Sequence, residues 1–473
     1  MRGTIVSWIT VGLVFWASAS SSVIAAAPEP EIRVADNVYV VPDTAARSIT
    51  GWLIVKAGCA DEAGGDCRGI AHYLEHLLFI NRDAEHSTKF SIFAGGSANG
   101  WTNHRSTTYF QRFPSNPATD GANVDKLLGY LMGLLADVKA DPAQADRERN
   151  VVLQEYNLRT GRNAYARFLI TLNRALMPDE PLGQRGIGSP ETIATFSLDA
   201  ARAFHKTWYA RSNAVLVLHG PVEPETVRQL AAKYYDTLPA KPVPGHLWTR
   251  PHAYPAASQT ITHSDKEARQ VGVYLEKLIT YDEPAAAADR MALDGARRIV
   301  RAWLASLLDR SPLDVLMEQG DFIVQGGLSL NKIRSGTLRL SFWGVPANGM
   351  TPEQVVEAVR GYIGAMDKVA FSDELVTRLR MRLHNEHALL ARQPDRYADA
   401  LVSWLGGHGS HAAWRESEAA NAQATAAHVH QTLALLTRPG REVVGILRPA
   451  EPGLDPPATG QPLADTAAPE APQ

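Results

Sequence analysis

GCADEAGGDCRGIAHYLEHLLF, residues 58–79, holds both cysteines of the chain, Cys59 and Cys67, and directly after them a His-x-x-Glu-His run. From Ile70 onward the apolar residues recur at helical spacing, so the spacing predicts a helix through IAHYLEHLLF. On that helix His72 and His76 are four apart and project from one face, one turn above the other. Glu75 stands three residues from His72 and borders the same face. Two imidazoles so placed can reach one zinc ion, and a carboxylate beside them can touch a water at the metal. The order H-x-x-E-H is the inverted form of the HExxH zinc signature.

A catalytic zinc needs a third protein ligand and an open position for water. ERNVVLQEY, residues 148–156, offers Glu148 and Glu155, seven apart and therefore on one face of a second helix. Either could be the third ligand, with the other orienting a histidine through its free ring nitrogen.

Outward from these segments the chain alternates short strands and helices. IRVADNVYVVPDT and SITGWLIVKAG are β-branched, with turn residues between them. NAVLVLHGPV reads as a strand buried on both faces. VDKLLGYLMGLLADV, SLDAARAFHKTWY and PETVRQLAAKYYDTL have helical periodicity. LPAKPVPGHLWTRPHAYPAAS is dense in proline and lacks period, so the linker is expected over 241–260. Beyond it the same grammar recurs in QTITHSDKEARQVGVYLEKLI, DRMALDGARRIVRAWLASLLD, GTLRLSFWGVP, PEQVVEAVRGYIGAM, SDELVTRLRMRLHNEHALLA and REVVGILRP. The expected fold is α+β, with two related halves (28–240 and 261–450), each a mainly antiparallel sheet with helices packed on one side. A Pro/Ala-rich tail over 451–473 is expected to be disordered.

The 473 residues carry a formal net charge of −3, which gives no electrostatic reason to expect nucleic acid or an anionic membrane as partner. At the N-terminus Arg2 precedes the apolar run TIVSWITVGLVFWASAS and small residues around Ala25–Ala27, the pattern of a cleaved signal peptide over 1–27. The run falls short of the roughly 20 residues a membrane span needs, so no stable anchor is expected after cleavage, and the location is periplasmic or secreted. In an oxidising compartment Cys59 and Cys67 are expected to pair as a disulfide. The alternative, zinc ligation by both, finds no support in their spacing. A loop this small contributes about 2.5 kcal/mol in the chain-entropy model, so its role is local stiffening.

GIAHYLEHLLF followed by ERNVVLQEY resembles the M16 metallopeptidases, the family of pitrilysin, insulin-degrading enzyme and the mitochondrial processing peptidases. GGSANGWTNHRSTTY, residues 95–109, is similar to that family's Gly-Gly-x-x-Asn-Ala-x-Thr segment ending in Tyr. Residues 186–239 are similar to its next block almost throughout. The resemblance implies a zinc metalloendopeptidase in which His72, His76 and Glu155 hold Zn2+, Glu75 is the general base and Glu148 supports a ligand from behind. It also implies that Asn99 and Gly100 lie on an edge strand that pairs with a peptide substrate, which gives loose sequence preference. Arg339, in GTLRLSFWGVP, takes the place of the family's substrate-binding arginine.

The chain departs from the family pattern at Ile80 and Asn81, where Gly-Thr is usual. It departs again at Gly100, where Ala is common, at Pro346 in place of a tyrosine, and in the Cys59–Cys67 segment. In the second half LHNEHALL sets His384 and His387 three apart around Glu386, neither zinc order, and a solvated helix face is expected. His408 and His411 are expected in a loop, so this half is read as catalytically silent. Members of this length resemble half of the long single-chain forms, which implies a homodimer or pairing with a related subunit around a chamber. The alternatives are a non-catalytic M16-like subunit that supports an active partner and a metal-delivery protein. Intact His72, Glu75, His76 and Glu155 argue against the first, and Glu75, which ligation does not need, against the second.

Overall fold

The apolar runs VYVVP and AVLVLHG lie side by side as neighbouring strands, parallel to each other, at the centre of the first of two sheets. The structure, a computed structural model, describes residues 30–80, 95–235, 237–238, 241–249, 252–305, 322–408 and 410–450. The segment 1–27, Asn81 and the tail 451–473 lie outside the described residues.

The first sheet is built from β1 (Ile32–Ala35), β2 (Val38–Pro42), β3 (Ser48–Val55), β4 (Ser97–Thr102), β5 (Thr107–Pro114) and β6 (Ala214–Gly220). Their order is β1-β2-β6-β3-β5-β4, which leaves β4 on an edge. The longer described helices of this half are α1 (Ile70–Phe79), α2 (Asp120–Gly133), α3 (Pro142–Tyr156), α4 (Ala164–Leu176), α5 (Leu198–Trp208) and α6 (Pro224–Tyr235). The second sheet comprises β7 (Ala257–Asp265), β8 (Gly272–Thr280), β9 (Ile323–Arg334), β10 (Thr337–Pro346) and β11 (Arg441–Pro449), in the order β7-β11-β8-β10-β9. Its longer described helices are α7 (Ala287–Leu304), α8 (Pro352–Gly364), α9 (Asp373–Ala391), α10 (Pro394–His408) and α11 (Ala426–Leu436). Each sheet has one parallel pair, β2 with β6 and β11 with β7, in an otherwise antiparallel array.

Alternation along a strand sends successive side chains to opposite faces, and here both faces are buried. On β2 and β3 the residues Val38, Val40, Ile49 and Leu53 meet α2, α5 and α6 in one core. Their neighbours Tyr39, Val41, Trp52 and Ile54 point the other way, onto Tyr397, Leu401 and Leu405 of α10. The second sheet repeats this. Leu275, Leu340, Phe342 and Ile446 pack on α7, α8 and α11, while Tyr274, Leu278, Val443 and Leu447 receive Phe168, Leu172 and Leu176 of α4. Each half therefore covers one face of its sheet with its own helices and lends one helix to the other half's sheet. At Gly445 on β11 an added Cβ would stand 2.5 Å from the Phe168 ring, so glycine allows α4 to lie flat on that strand. Polar ties reinforce the join. Arg334 pairs with Glu180, Nη1 of Arg105 donates to the Gly407 carbonyl (2.9 Å), and Nη2 of Arg441 donates to that of Ala175 (3.0 Å).

Candidate metal and peptide site

Helix α1 buries Ala71, Leu74, Leu77 and Leu78 and turns His72, Glu75 and His76 toward a cleft. The Tyr73 hydroxyl, from within the core, donates to the Ala145 carbonyl (2.6 Å) and locks α1 to α3. That contact brings the two carboxylates of α3 opposite the histidines. Glu155 Oε2 lies 3.2 Å from His76 Nε2 and 3.6 Å from His72 Nε2, and Glu148 Oε2 lies 3.1 Å from His76 Nδ1. The candidate ligand atoms of His72, His76 and Glu155 all fall within 4.8 Å of one another. Glu155 keeps its other oxygen, Oε1, for the Arg159 guanidinium at 2.9 Å.

The electrostatics suit a cation. Burial, then the neighbouring His76, holds His72 down to about 4, so its imidazole is neutral, the form a metal needs. Burial alone would lower His76 too, but hydrogen bonds to Glu148 and Glu155 outweigh it and raise it to about 9. Burial pushes Glu75 up to about 7 against the hydrogen bond from Thr102. His72 Nδ1 is buried and has no hydrogen-bond partner. Two imidazoles and a carboxylate converging within a partly buried, acid-rich cluster match the ligand chemistry of a catalytic zinc site.

Glu75 and the edge strand meet directly. Thr102 Oγ1 donates to Glu75 Oε2 at 2.6 Å, which leaves Oε1 beside Gly100. A Cβ at Gly100 would stand 3.0 Å from that oxygen and 2.9 Å from the Thr108 carbonyl, so the glycine brings the strand backbone flush against Glu75. Among the described residues strand β4 pairs with β5 alone, and it borders a cavity of about 590 Å³ lined by His72, Glu75, His76, Asn99, Trp101 and Arg159. The Asn99 side chain accepts from the Gly100 N–H at 2.9 Å. Such an edge offers unpaired main-chain groups to an extended peptide.

Cys59 and Cys67 are bonded to each other, and the ring they close sits at the entry to α1. Arg339 stands apart from the cluster. On β10 it donates to Glu276 (2.8 Å) and to Asn173 of α4 (2.8 Å), under the helix lent by the first half. His384 faces Glu418 at 3.4 Å on the half-buried side of α9, and His387 lies against the rings of Tyr397 and Trp414. His411 is not in a loop: it opens the short helix His411–Arg415, stacks on Tyr39 and faces Glu31 at 2.9 Å. His408 ends α10. Thr102 and Arg159 were not singled out from the sequence. Thr102 had a signal, since it fills the Thr position of the segment similar to Asn-Ala-x-Thr; Arg159 had only its place four residues after Glu155. No helix among the described residues is long and apolar enough to cross a membrane.

The fold and this site define a two-sheet α+β protein that sets a His–His–Glu cluster beside β4, the last strand in the described order of its first sheet. Residues 38–185 match the insulinase (peptidase family M16) sequence model, and residues 195–309 match that of the peptidase M16 inactive domain, together more than half of the chain. The chain belongs to the M16 peptidase family. It is 28% identical over 274 residues to the zinc protease PqqE of Helicobacter pylori, a match covering 55% of this chain and 59% of that protein. It spans about half the length of the curated relatives it matches. A protease from H. pylori shares the fold with a TM-score of 0.71 at 18% identity, over 87% of this chain and 97% of that one. The first half of the periplasmic protease PqqL from Escherichia coli does so with a TM-score of 0.71 at 18% identity, over 90% of this chain and 93% of that one.

Proposed function

We propose that this protein is a zinc-dependent endopeptidase that hydrolyses oligopeptides or unfolded polypeptide segments, exported to the periplasm or beyond the cell. The observation that carries the reading is the meeting of His72, His76 and Glu155 within 4.8 Å, with Glu75 fixed by Thr102 beside a free strand edge. His72, His76 and Glu155 hold the zinc, and Glu148 orients His76 through Nδ1. Zinc at such a site supplies a Lewis acid for the scissile carbonyl and lowers the pKa of water to about 7. The substrate lies extended along β4 and pairs with the backbone around Asn99 and Gly100, so recognition runs through the main chain and side-chain preference is loose. Glu75 takes a proton from the attacking water and delivers it to the leaving amine nitrogen. With Oε2 held by Thr102, Oε1 is the oxygen that carries the proton.

The relatives' names, zinc protease for PqqE and periplasmic protease for PqqL, are consistent with this activity and compartment. The family's inactive-domain model falls on residues 195–309, which contain none of His72, Glu75, His76, Glu148 and Glu155. Arg339 is kept as a substrate-binding residue of this reading, and a homodimer or heterodimer with a related subunit closing a chamber is part of the proposal. The test is metal content by mass spectrometry alongside cleavage of a quenched peptide library. Wild type is expected to carry one zinc per chain and to cleave, and Glu155→Ala to lose both. A wild type that binds no zinc, or Glu155→Ala retaining it, would overturn the ligand assignment.

A further inference from the structure

Helix α1 starts after Gly69, which has φ +103° and no side chain to cap the exposed N–H groups of the first turn. Helix starts leave four such donors without intrahelical partners, and here those of Gly69 and Ala71 meet a buried acceptor. Their acceptor is Glu62, a buried carboxylate seven residues before Gly69 in the chain. It receives the N–H of Arg68 at 2.7 Å, of Gly69 at 3.0 and 3.1 Å, and of Ala71 at 3.0 Å. Burial pushes the Glu62 carboxyl up to about 7, and in its ionised form it also complements the helix dipole.

Glu62 is itself held. It lies inside the ring closed by Cys59–Cys67, and that ring is stitched to the turn between β4 and β5. The Cys59 N–H donates to the Asn103 carbonyl at 3.1 Å and the Ala60 N–H to that of His104 at 2.9 Å. Asp61, next to Glu62, accepts the Gly58 N–H at 3.2 Å and faces His246 Nδ1 at 2.9 Å, while its carbonyl accepts Trp208 Nε1 at 3.1 Å. A continuous path thus runs from the strand carrying Asn99, Gly100 and Thr102, through the ring, to the first turn of the helix carrying His72, Glu75 and His76.

We propose that Glu62 is a positioning residue: from within the disulfide ring it fixes the first turn of α1 against strand β4. It thereby sets where His72, Glu75 and His76 stand relative to Thr102 and the peptide-pairing edge. The proposal rests on the zinc-peptidase reading for its consequence in catalysis, but not for its consequences in structure and metal binding. Misplacement of reacting groups by about 1 Å costs on the order of a hundredfold in rate, so a loosened first turn matters to chemistry before it matters to the fold.

The test compares the full chain with Glu62→Ala and Glu62→Gln by three readouts. These are amide exchange over residues 69–73, Zn2+ affinity by chelator competition, and kcat and KM on a quenched peptide. In Glu62→Ala the Gly69 and Ala71 amides are expected to exchange faster while those of α7 and α8 are unchanged. Zinc affinity is expected to fall about tenfold or more, the range for removing a group that orients metal ligands, and kcat to fall with KM nearly constant. Glu62→Gln, which keeps the shape and one carbonyl oxygen, is expected to lie between. Wild-type zinc affinity and exchange in Glu62→Ala would overturn the proposal. If that variant fails to fold, Glu62→Gln decides, and wild-type affinity and kcat there would equally overturn it. Should wild type cleave no peptide, the enzymatic reading fails while exchange and zinc affinity still judge Glu62.

Discussion

The contact between Thr102 Oγ1 and Glu75 Oε2, at 2.6 Å, ties the proposed base to the strand along which substrate is proposed to lie. Replacing Thr102 by Val removes the donor while keeping the shape. The buried carboxylate loses a hydrogen bond worth about 1.5–3 kcal/mol and gains freedom to turn. The expected result in steady-state kinetics is a ten- to hundredfold loss of kcat, with zinc content unchanged. Unaltered kcat would show that Glu75 does not depend on this bond. The residue types here are legible in the sequence, because His72, Glu75 and His76 at spacings of three and four follow the inverted zinc signature and the flanking segments resemble the family. Which of Glu148 and Glu155 faces both histidines was not legible from spacing alone. Seven residues put both on one face, and only the resemblance favoured Glu155, which the structure places opposite His72 and His76.

At the scale of elements, the entry to α1 and the packing of β9 each depend on a specific local tie. The Cys59–Cys67 bridge precedes α1, and Cys59→Ser/Cys67→Ser is expected to cost at most about 2.5 kcal/mol in urea unfolding and to weaken zinc affinity. No change in stability, affinity or activity would contradict a stiffening role. In the second half Glu283 accepts from Tyr281 and faces Lys332 at 2.8 Å, pinning β9 next to the start of α7. Burial would raise its carboxyl, but Lys332 and Tyr281 outweigh that and hold it down to about 2, against 4.5 in the unfolded chain. The stabilisation is therefore fully present above the unfolded value and is lost as pH falls toward 2. Glu283→Gln is expected to lower stability by on the order of 1 kcal/mol at pH 7, discounted for partial exposure, with the gap closing near pH 2. A gap independent of pH would contradict the ion-pair account. Strand β9, IVQGGLSLNKIR, escaped sequence reading because its paired glycines and polar residues break alternation; β10 supplies its register.

For the whole molecule, the exchange of α10 and α4 between halves makes each sheet's second face depend on the other half. Periodicity showed that these helices bury a stripe, but the stripe carries no record of which sheet receives it. Periodicity therefore predicts two sheets with helices on one side, and the lent helix on the other face is a finding of the structure. Leu401 on α10 is fully buried against the first sheet, and Leu401→Ala is expected to cost about 2–5 kcal/mol. Because the join is shared, calorimetry is expected to show one transition moving down in temperature, and two separated transitions would contradict the coupling.

Water activation by Glu75 beside a zinc site at a substrate-binding edge is the proposal on which the rest depends. Wild type and Glu75→Gln, measured side by side for zinc content and for cleavage of a quenched peptide library, test it most directly. The account predicts one zinc in both proteins and cleavage by wild type alone. A wild type that cleaves nothing, by itself and with a related subunit, or a Glu75→Gln variant that cleaves at the wild-type rate, would contradict it.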